Sequence, residues 1–484
     1  MKFKEYATLQ TLIIELFVIL LNLDHKTNFL LLRITFRQGI MKISTFEEDL
    51  LDLKGFAEKL EKFINVEHQY VPESLVISLN GSFGSGKSTF FKMWTDYLAK
   101  KGSLDNGLFV VEVNVWNDDY CGDPLVALIS ALIESLNQKH KDTQVILNAA
   151  KDVGWFLTGM GNQVVSALTG INAVSAGELA EKKKLERNDR HNFSGNYFDL
   201  YKSKKKALST LKTAIREIIR GDNPNILILV DELDRCRPDY AISYLETIKH
   251  VFDIKGIVFV IAVDRKQLEC SAKAAFGADL DFPEYYRKFI QREIALPEPK
   301  PESYNRLASK YVEYYLQIEN KRYCHMSLSD RQIEGITNLI SSMKMTPRQV
   351  QEVFRIMGHV LETDETRKGR LSWCLGLGTV LMSALKIGKP DIYEKLGRQE
   401  LGINEAATLF NKLERSDAEW WFSLCLTGGG LITEKKTTVD IFSEAGFLSE
   451  GEEPNLSSWH TGWGRRSEGI KKIYNKIEEI SSWN

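Results

Sequence analysis

One stretch constrains the fold of this chain more than any other. Leu75–Asn80 (LVISLN) is a short apolar run of the kind that forms a buried strand. It passes without interruption into Gly81-Ser82-Phe83-Gly84-Ser85-Gly86-Lys87-Ser88. The residues behind it, TFFKMWTDYLAKKG, repeat their apolar positions at helical spacing up to Gly102. The loop fits the spacing GxxxxGK[ST] at every fixed position. Glycines there let backbone N–H groups converge on an anion, and the following helix aims its positive end at the same point. Lys87 is expected to reach terminal phosphates and the Ser88 hydroxyl to ligate Mg²⁺. The candidate nucleotide-binding residues are therefore Gly81, Ser82, Phe83, Gly84, Ser85, Gly86, Lys87, Ser88 and Thr89. The plainer reading is a glycine-rich turn without a ligand. The strand before it and the helix after it argue for the phosphate loop, because that mechanism needs both.

A second motif completes the first. Ile226–Glu232 (ILILVDE) is an apolar strand that ends in two acids. Where strands run parallel, their C-terminal ends share one edge, so these carboxylates fall beside the phosphate loop. Asp231 is the expected Mg²⁺ partner, directly or through water. Glu232 is placed to polarise an attacking water, which suits hydrolysis better than transfer to another acceptor. Alone, such a strand also reads as one ending in an exposed acidic turn. Asp264 closes the next apolar strand, GIVFVIAVD. It is a candidate for sensing the terminal phosphate or holding the water. Its plainer role is the N-cap of RKQLECSAKAAF, and the two roles are compatible.

Strand and helix alternate from Leu75 to Asp264: LFVVEVNVW (Leu108–Trp116), PLVALISALIESLNQ and YAISYLETIKHVF fill the intervals. This predicts an α/β fold with a mainly parallel sheet covered on both faces. From about Pro301 the pattern turns helical. Past about residue 366 the chain is rich in Gly, and six of its nine tryptophans (Trp373, Trp420, Trp421, Trp459, Trp463, Trp483) lie there. Trp420 and Trp421 beside Gly428-Gly429-Gly430 read as core packing first and as a recognition surface second.

Lys and Arg total 63 against 65 Asp and Glu, a net charge of −2. That excludes a nucleic-acid binder driven by bulk charge but not a local basic patch. The six cysteines (Cys121, Cys236, Cys270, Cys324, Cys374, Cys425) form no CxxC pair. No structural zinc or disulfide framework is expected, and a reducing cytosol fits.

Two segments stand apart. Residues 12–23 (LIIELFVILLNL) are apolar but interrupted by Glu15, and shorter than the roughly 20 residues that span a bilayer. Residues 1–40 are therefore read as an upstream extension, with Met41 as the physiological start; a membrane anchor is the alternative. After Met41, Ser44 or Thr45 is expected to cap a helix carrying Phe46, Leu50, Leu53, Phe56, Leu60 and Ile64. The second segment, Val153–Gly177, has no charged residue. Asn162, Gln163, Asn172 and its glycines argue against a spanning helix. Lys182, Lys183, Lys184, Arg187, Arg190, Lys202, Lys204, Lys205 and Lys206 follow. Residues 182–206 thus offer a contact for anionic lipid or nucleic-acid phosphates, against the plainer reading of a solvated helix face.

With these residues in place, the chain resembles the KAP family of P-loop NTPases. ILILVDELDRCRPDYAISYLETIKHVFDIKGIVFVIAVDRKQLE carries the resemblance most fully. GSFGSGKS, VEVNVWNDDYCGDPLVALISAL, YYRKFIQREIALPEP and MTPRQVQEVFRIM extend it from about residue 46 to about 360. It implies a parallel-sheet core of AAA+/STAND type over 41–299, with an insert at about 145–215. A helical lid over 300–365 and a C-terminal α-rich module over 366–484 complete the expected organisation. It also implies an ATP-hydrolysing switch using ATP and Mg²⁺, with Glu232, Lys87, Asp264 and Arg348 as the catalytic set. Arg348 is the candidate γ-phosphate sensor, and Arg287 and Arg292 are candidate arginine fingers. The resemblance also brings in Asp234, Arg235 and Cys236; Asp234 and Arg235 would couple the site to its surroundings, with an ion pair within the turn as the plainer reading. A protein partner or self-association is expected, and many bacterial members resemble phage-defence proteins. Membrane-bearing members carry spanning segments between the two motifs, from which this sequence departs. The expected location is the cytoplasm, with the inner face of the membrane as a peripheral alternative.

Overall fold

The computed structural model describes residues 43–102, 108–137, 145–146, 148–150, 197–217, 219, 224–316, 328–362, 373–433 and 436–448. It also describes 453–454, 456–463 and 468–481. Residues 1–40, most of the expected insert and the uncharged segment Val153–Gly177 lie outside these.

Five strands form one sheet: β1 (Leu75–Asn80), β2 (Phe109–Asn114), β3 (Ile226–Asp231), β4 (Ile257–Val263) and β5 (Arg292–Ala295). Their order is β2-β3-β4-β1-β5. Every neighbouring pair is parallel. Strands buried on both faces read as continuous apolar runs, and β4 is buried at every residue. β2 lies at an edge and alternates instead, with Glu112 exposed. The register aligns Asn114 with Asp231, and Asn80 with both Val263 and Ala295. All the C-terminal strand ends therefore share one edge. The backbone N–H of Gly81 donates to the Val263 carbonyl at 3.1 Å, which fixes where the loop leaves the sheet.

Helices cover both faces. Val111, Val113, Ile228, Val230, Phe259 and Ile261 pack in one core with Leu132, Tyr244, Ile248 and Leu268 of the helices Pro124–Asn137, Pro238–Val251 and Arg265–Phe276. The alternate residues Leu227, Leu229, Val258, Val260 and Ala262 point to the other face and are equally buried. There the helix Lys87–Lys100 packs on β3. Its Phe90 stacks on Trp94 at 5.6 Å and meets Phe56 of the helix Lys54–Tyr70 at 5.3 Å.

Two elements differ from their sequence reading. The expected strand to Trp116 ends at Asn114, because Asn114 accepts a hydrogen bond from Asn117 N–H at 3.2 Å and opens the one-turn helix Val115–Asp118. The expected continuous helix after Thr45 is only a 3₁₀ turn, Phe46–Glu48. Asp49 accepts from the N–H groups of Leu51 and Leu53 at 2.8 and 2.5 Å, and Asp52 has a positive φ of 59°. A carboxylate capping the chain ahead of it delays the helix start to Lys54.

Beyond the sheet the described chain is helical. Asp330–Ser342 and Pro347–Glu362 lead to Trp373–Gly388, and Gly469–Ser481 packs back on the last. The Gly and Trp bias of this region has a packing cause. A Cβ on Gly428 would lie 2.6 Å from Trp463, and one on Gly462 2.5 Å from Trp373. The indoles fill space that any side chain at these glycines would occupy. Trp421 and Trp463 are wholly buried, and the Trp463 indole donates to Thr427 Oγ1 at 3.1 Å. Among the described residues, no helix is long and apolar enough to cross a membrane.

Candidate nucleotide site

The loop between β1 and the helix Lys87–Lys100 is built for close approach. Gly84 and Gly86 take φ of +79° and +101°, the left-handed region that costs glycine least. A Cβ on Gly81 would lie 2.7 Å from Ser85 Oγ and 3.3 Å from the Lys87 stem, so only glycine leaves the cradle open. Ser85 Oγ is buried with no hydrogen-bond partner among the described residues. The Lys87 ammonium turns back onto the loop and donates to the carbonyls of Gly81 (2.5 Å) and Ser82 (3.2 Å). Burial pulls its pKa below the usual lysine value, while Asp234, Asp264 and Asp231 resist the shift. A partly buried cation whose hydrogen bonds go to backbone carbonyls is well matched to a phosphate anion.

Asp231 ends β3 beside this loop. Burial pushes its carboxyl pKa up, and a hydrogen bond with Ser88 opposes the shift. A hydroxyl and a shielded carboxylate side by side form an all-oxygen donor pair, the chemistry Mg²⁺ requires. Glu232 follows with φ of +63°, an uncommon backbone for a non-glycine residue. Its N–H donates to Asp231 Oδ1 at 3.0 Å. Its carboxylate accepts from Asn114 Nδ2 at 3.1 Å through Oε2 and pairs with Arg235 Nη2 at 2.9 Å through Oε1. Asn114 is brought there by register, since it stands opposite Asp231. It did not figure in the sequence reading. A polar residue ending the strand beside the acidic one was the available signal, but it needs the strand order to be known.

Asp264 caps the helix Arg265–Phe276, its Oδ1 accepting from Lys266 N–H at 3.1 Å. Its own N–H donates to Asp234 Oδ2 at 2.8 Å, tying the end of β4 to the turn after β3. That turn is also fixed sideways. Arg237 donates to Asp119 through its backbone N–H (3.0 Å) and Nε (2.9 Å). Cys236 is buried, and its thiol pKa is pushed up to about 12 by burial and nearby carboxylates, which makes it inert.

Arg348 comes to the loop from the helix Pro347–Glu362. Its guanidinium carbon lies 4.7 Å from the Phe83 ring centroid. Thr346 comes equally near: its Oγ1 would lie 3.2 Å from a Cβ on Gly84. Of the two finger candidates, Arg287 is exposed at the end of the short helix Phe282–Arg287. Arg292 begins β5 opposite Ile77, ahead of the strand ends, and pairs with Glu67. Of the basic cluster, Lys202, Lys205 and Lys206 are exposed on the helix Tyr197–Arg216. Lys182, Lys183, Lys184, Arg187 and Arg190 fall outside the described residues.

A parallel sheet, a glycine loop entering a helix and an acid-tipped strand one place removed in the sheet define a P-loop nucleotide-binding domain. The chain belongs to the KAP family: the profile of the KAP family P-loop domain matches residues 53–363. The chain is also similar to a phage T7 exclusion protein of Escherichia coli (strain K12). The two are 20% identical over 306 residues, which cover 58% of this chain and 37% of that protein. The chain thus spans well under two thirds of that relative's length. Among solved structures it matches the Aeropyrum pernix ORC2 protein, solved as ADPNP-ADP complexes, at 13% identity and a TM-score of 0.32. That match covers 90% of this chain and 95% of the other. It also matches the ORC1 protein of the same organism, solved in complex with DNA, at 13% identity and a TM-score of 0.31. Here the coverage is 90% and 94%. Scores this low carry no further structural inference.

Proposed function

We propose that the chain binds ATP with Mg²⁺ at the loop Gly81–Thr89, under the helix that bears Arg348, and hydrolyses it. The observation that carries this reading is the meeting of Lys87, Ser88, Asp231 and Glu232 on one sheet edge. Ser88 and Asp231 would hold Mg²⁺, which neutralises charge on the phosphates when bound. Lys87 would exchange its carbonyl partners for phosphate oxygens. Glu232 would take the proton of a water whose oxygen attacks the terminal phosphorus, with the nucleoside diphosphate as leaving group. Arg348 would sense the terminal phosphate, and the helices that follow would transmit the change as a switch. Similarity to a phage exclusion protein supports phage defence as the setting.

A second reading is a nucleotide-dependent scaffold with little turnover. It is favoured by the engagement of both Glu232 carboxylate oxygens. Measured release of phosphate from MgATP separates the two. Turnover that Glu232→Gln removes supports hydrolysis, and binding without turnover supports the scaffold. Adding DNA, RNA or anionic vesicles tests the basic helix: an unchanged rate and no vesicle binding would remove that contact.

A further inference from the structure

The tip of the phosphate loop carries an exposed aromatic ring that phosphate binding does not call for. Phe83 is 55% exposed. The guanidinium carbons of Arg235 and Arg348 lie 4.8 and 4.7 Å from its centroid. Arg235 also sits 5.5 Å from the ring of Trp116, itself half exposed, and pairs with Glu232 at 2.9 Å. One ring therefore touches two arginines with different duties. One holds the candidate base, and the other heads the helix Pro347–Glu362. Guanidinium groups are weakly hydrated and stack well on aromatic faces, so these contacts are favourable even near solvent. They are still weaker partners than a phosphate oxygen, which pairs with an arginine by charge and by two parallel hydrogen bonds.

We propose that Phe83 is a positioning residue that competes with the nucleotide for Arg348. While the ring holds Arg348 it withholds that guanidinium from a terminal phosphate, and it keeps Arg235 stacked where it pairs with Glu232. A bound triphosphate must take Arg348 from the ring, so part of its binding free energy goes into breaking the stack. The apparent affinity is lowered by the fraction of molecules in which Arg348 is held. This inference rests on the nucleotide site proposed above and on the role given there to Arg348.

The test is equilibrium binding of a non-hydrolysable ATP analogue with Mg²⁺ to the full chain, so it does not depend on turnover. Phe83→Leu keeps an apolar side chain but removes the ring. It is expected to tighten binding on the order of threefold to tenfold. Phe83→Tyr keeps the ring and is expected to give less than half of that gain. In an Arg348→Ala background, Phe83→Leu is expected to give no gain, since the two residues act as one unit. Thermal melting of each variant confirms that the comparison is between folded chains. Unchanged or weaker binding in Phe83→Leu overturns the proposal, as does a gain that survives undiminished in Arg348→Ala. A wild-type chain that fails to bind the analogue removes the nucleotide site and this inference together. Binding without the Phe83 effect removes this inference alone.

Discussion

The side-chain amide of Asn114 donates to Oε2 of Glu232 at 3.1 Å, across the seam between two parallel strands. Arg235 takes Oε1 of the same carboxylate. Glu232 is thus held in place at both oxygens by groups from β2 and from the turn after β3. Glu232→Gln keeps the shape and removes the base. Turnover is expected to fall roughly 10²–10⁴-fold, the usual worth of a positioned general base. Analogue affinity should stay within about threefold, because in this reading Glu232 acts on water and not on the phosphates. Phosphate release and equilibrium binding, measured side by side, check this. Turnover that survives the change would show that another group takes the proton.

Lys87→Ala should abolish nucleotide binding while leaving the fold intact. Among the described residues its ammonium hydrogen-bonds to loop carbonyls, and its charge also steadies the nearby Asp231 carboxylate. The expected weakening is at least about a hundredfold, in line with the loss of a desolvated charged contact. The pH dependence has a definite sign. Burial lowers the Lys87 pKa from 10.5. The cation binds phosphate, so affinity is full below the lowered pKa and is lost as pH rises through it. The loss should begin at lower pH than for an exposed lysine. A titration of analogue affinity on the alkaline side measures this, and a retained affinity in Lys87→Ala would contradict the site.

The parts legible in the sequence are those whose chemistry is local along the chain. GSFGSGKS and ILILVDE each carry their own spacing, and an apolar run that meets a glycine loop has few other folds open to it. The parallel sheet followed from the same runs, since strands buried on both faces lose their alternation. What stayed hidden depends on residues distant in sequence. Asn114 reaches Glu232 only because β2 is the neighbour of β3. Phe83, Arg235 and Arg348 meet only because the turn after β3 and the helix Pro347–Glu362 both close on the loop tip. The strand stops two residues short of Trp116 because Asn114 caps the helix Val115–Asp118, a role that its place in an apolar run conceals. The Trp and Gly bias was visible, but its cause lies in pairs such as Gly428 and Trp463, which no periodicity reveals.

Asp231→Asn should separate stability from binding. Burial raises the Asp231 pKa above its ordinary 3.8. Between the unfolded and the raised folded value the native state holds the extra proton. The stability that proton supplies is present at low pH and lost as pH rises through the folded pKa. At neutral pH the ionised carboxylate is therefore a cost in the nucleotide-free chain. Asp231→Asn should raise the melting temperature at pH 7, and the gain should shrink toward pH 4. The same change should remove the dependence of analogue binding on Mg²⁺. Equal melting of both chains at all pH values would refute the burial argument.

The helix that precedes Arg348 is tied to the Trp-rich region at two points of different depth. The Trp421 indole donates to the Gly335 carbonyl at 3.2 Å, a fully buried contact. Asn338 Nδ2 donates to Asp417 at 2.7 Å in a part-buried setting. Trp421→Phe removes a second hydrogen bond from a carbonyl that keeps its helical partner and also takes volume from a wholly buried indole, so the cost, about 1–3 kcal/mol, is mainly lost packing. Asn338→Ala exposes Asp417 to solvent that can replace the lost bond, and should cost about 1 kcal/mol or less. Urea unfolding of the full chain, followed by tryptophan-independent far-UV dichroism, ranks the two. Because Asp330–Ser342 runs directly to Thr346 and Arg348, only the deeper contact is expected to alter nucleotide affinity as well. A larger loss at Asn338 than at Trp421 would mean that burial does not set the strength of this junction.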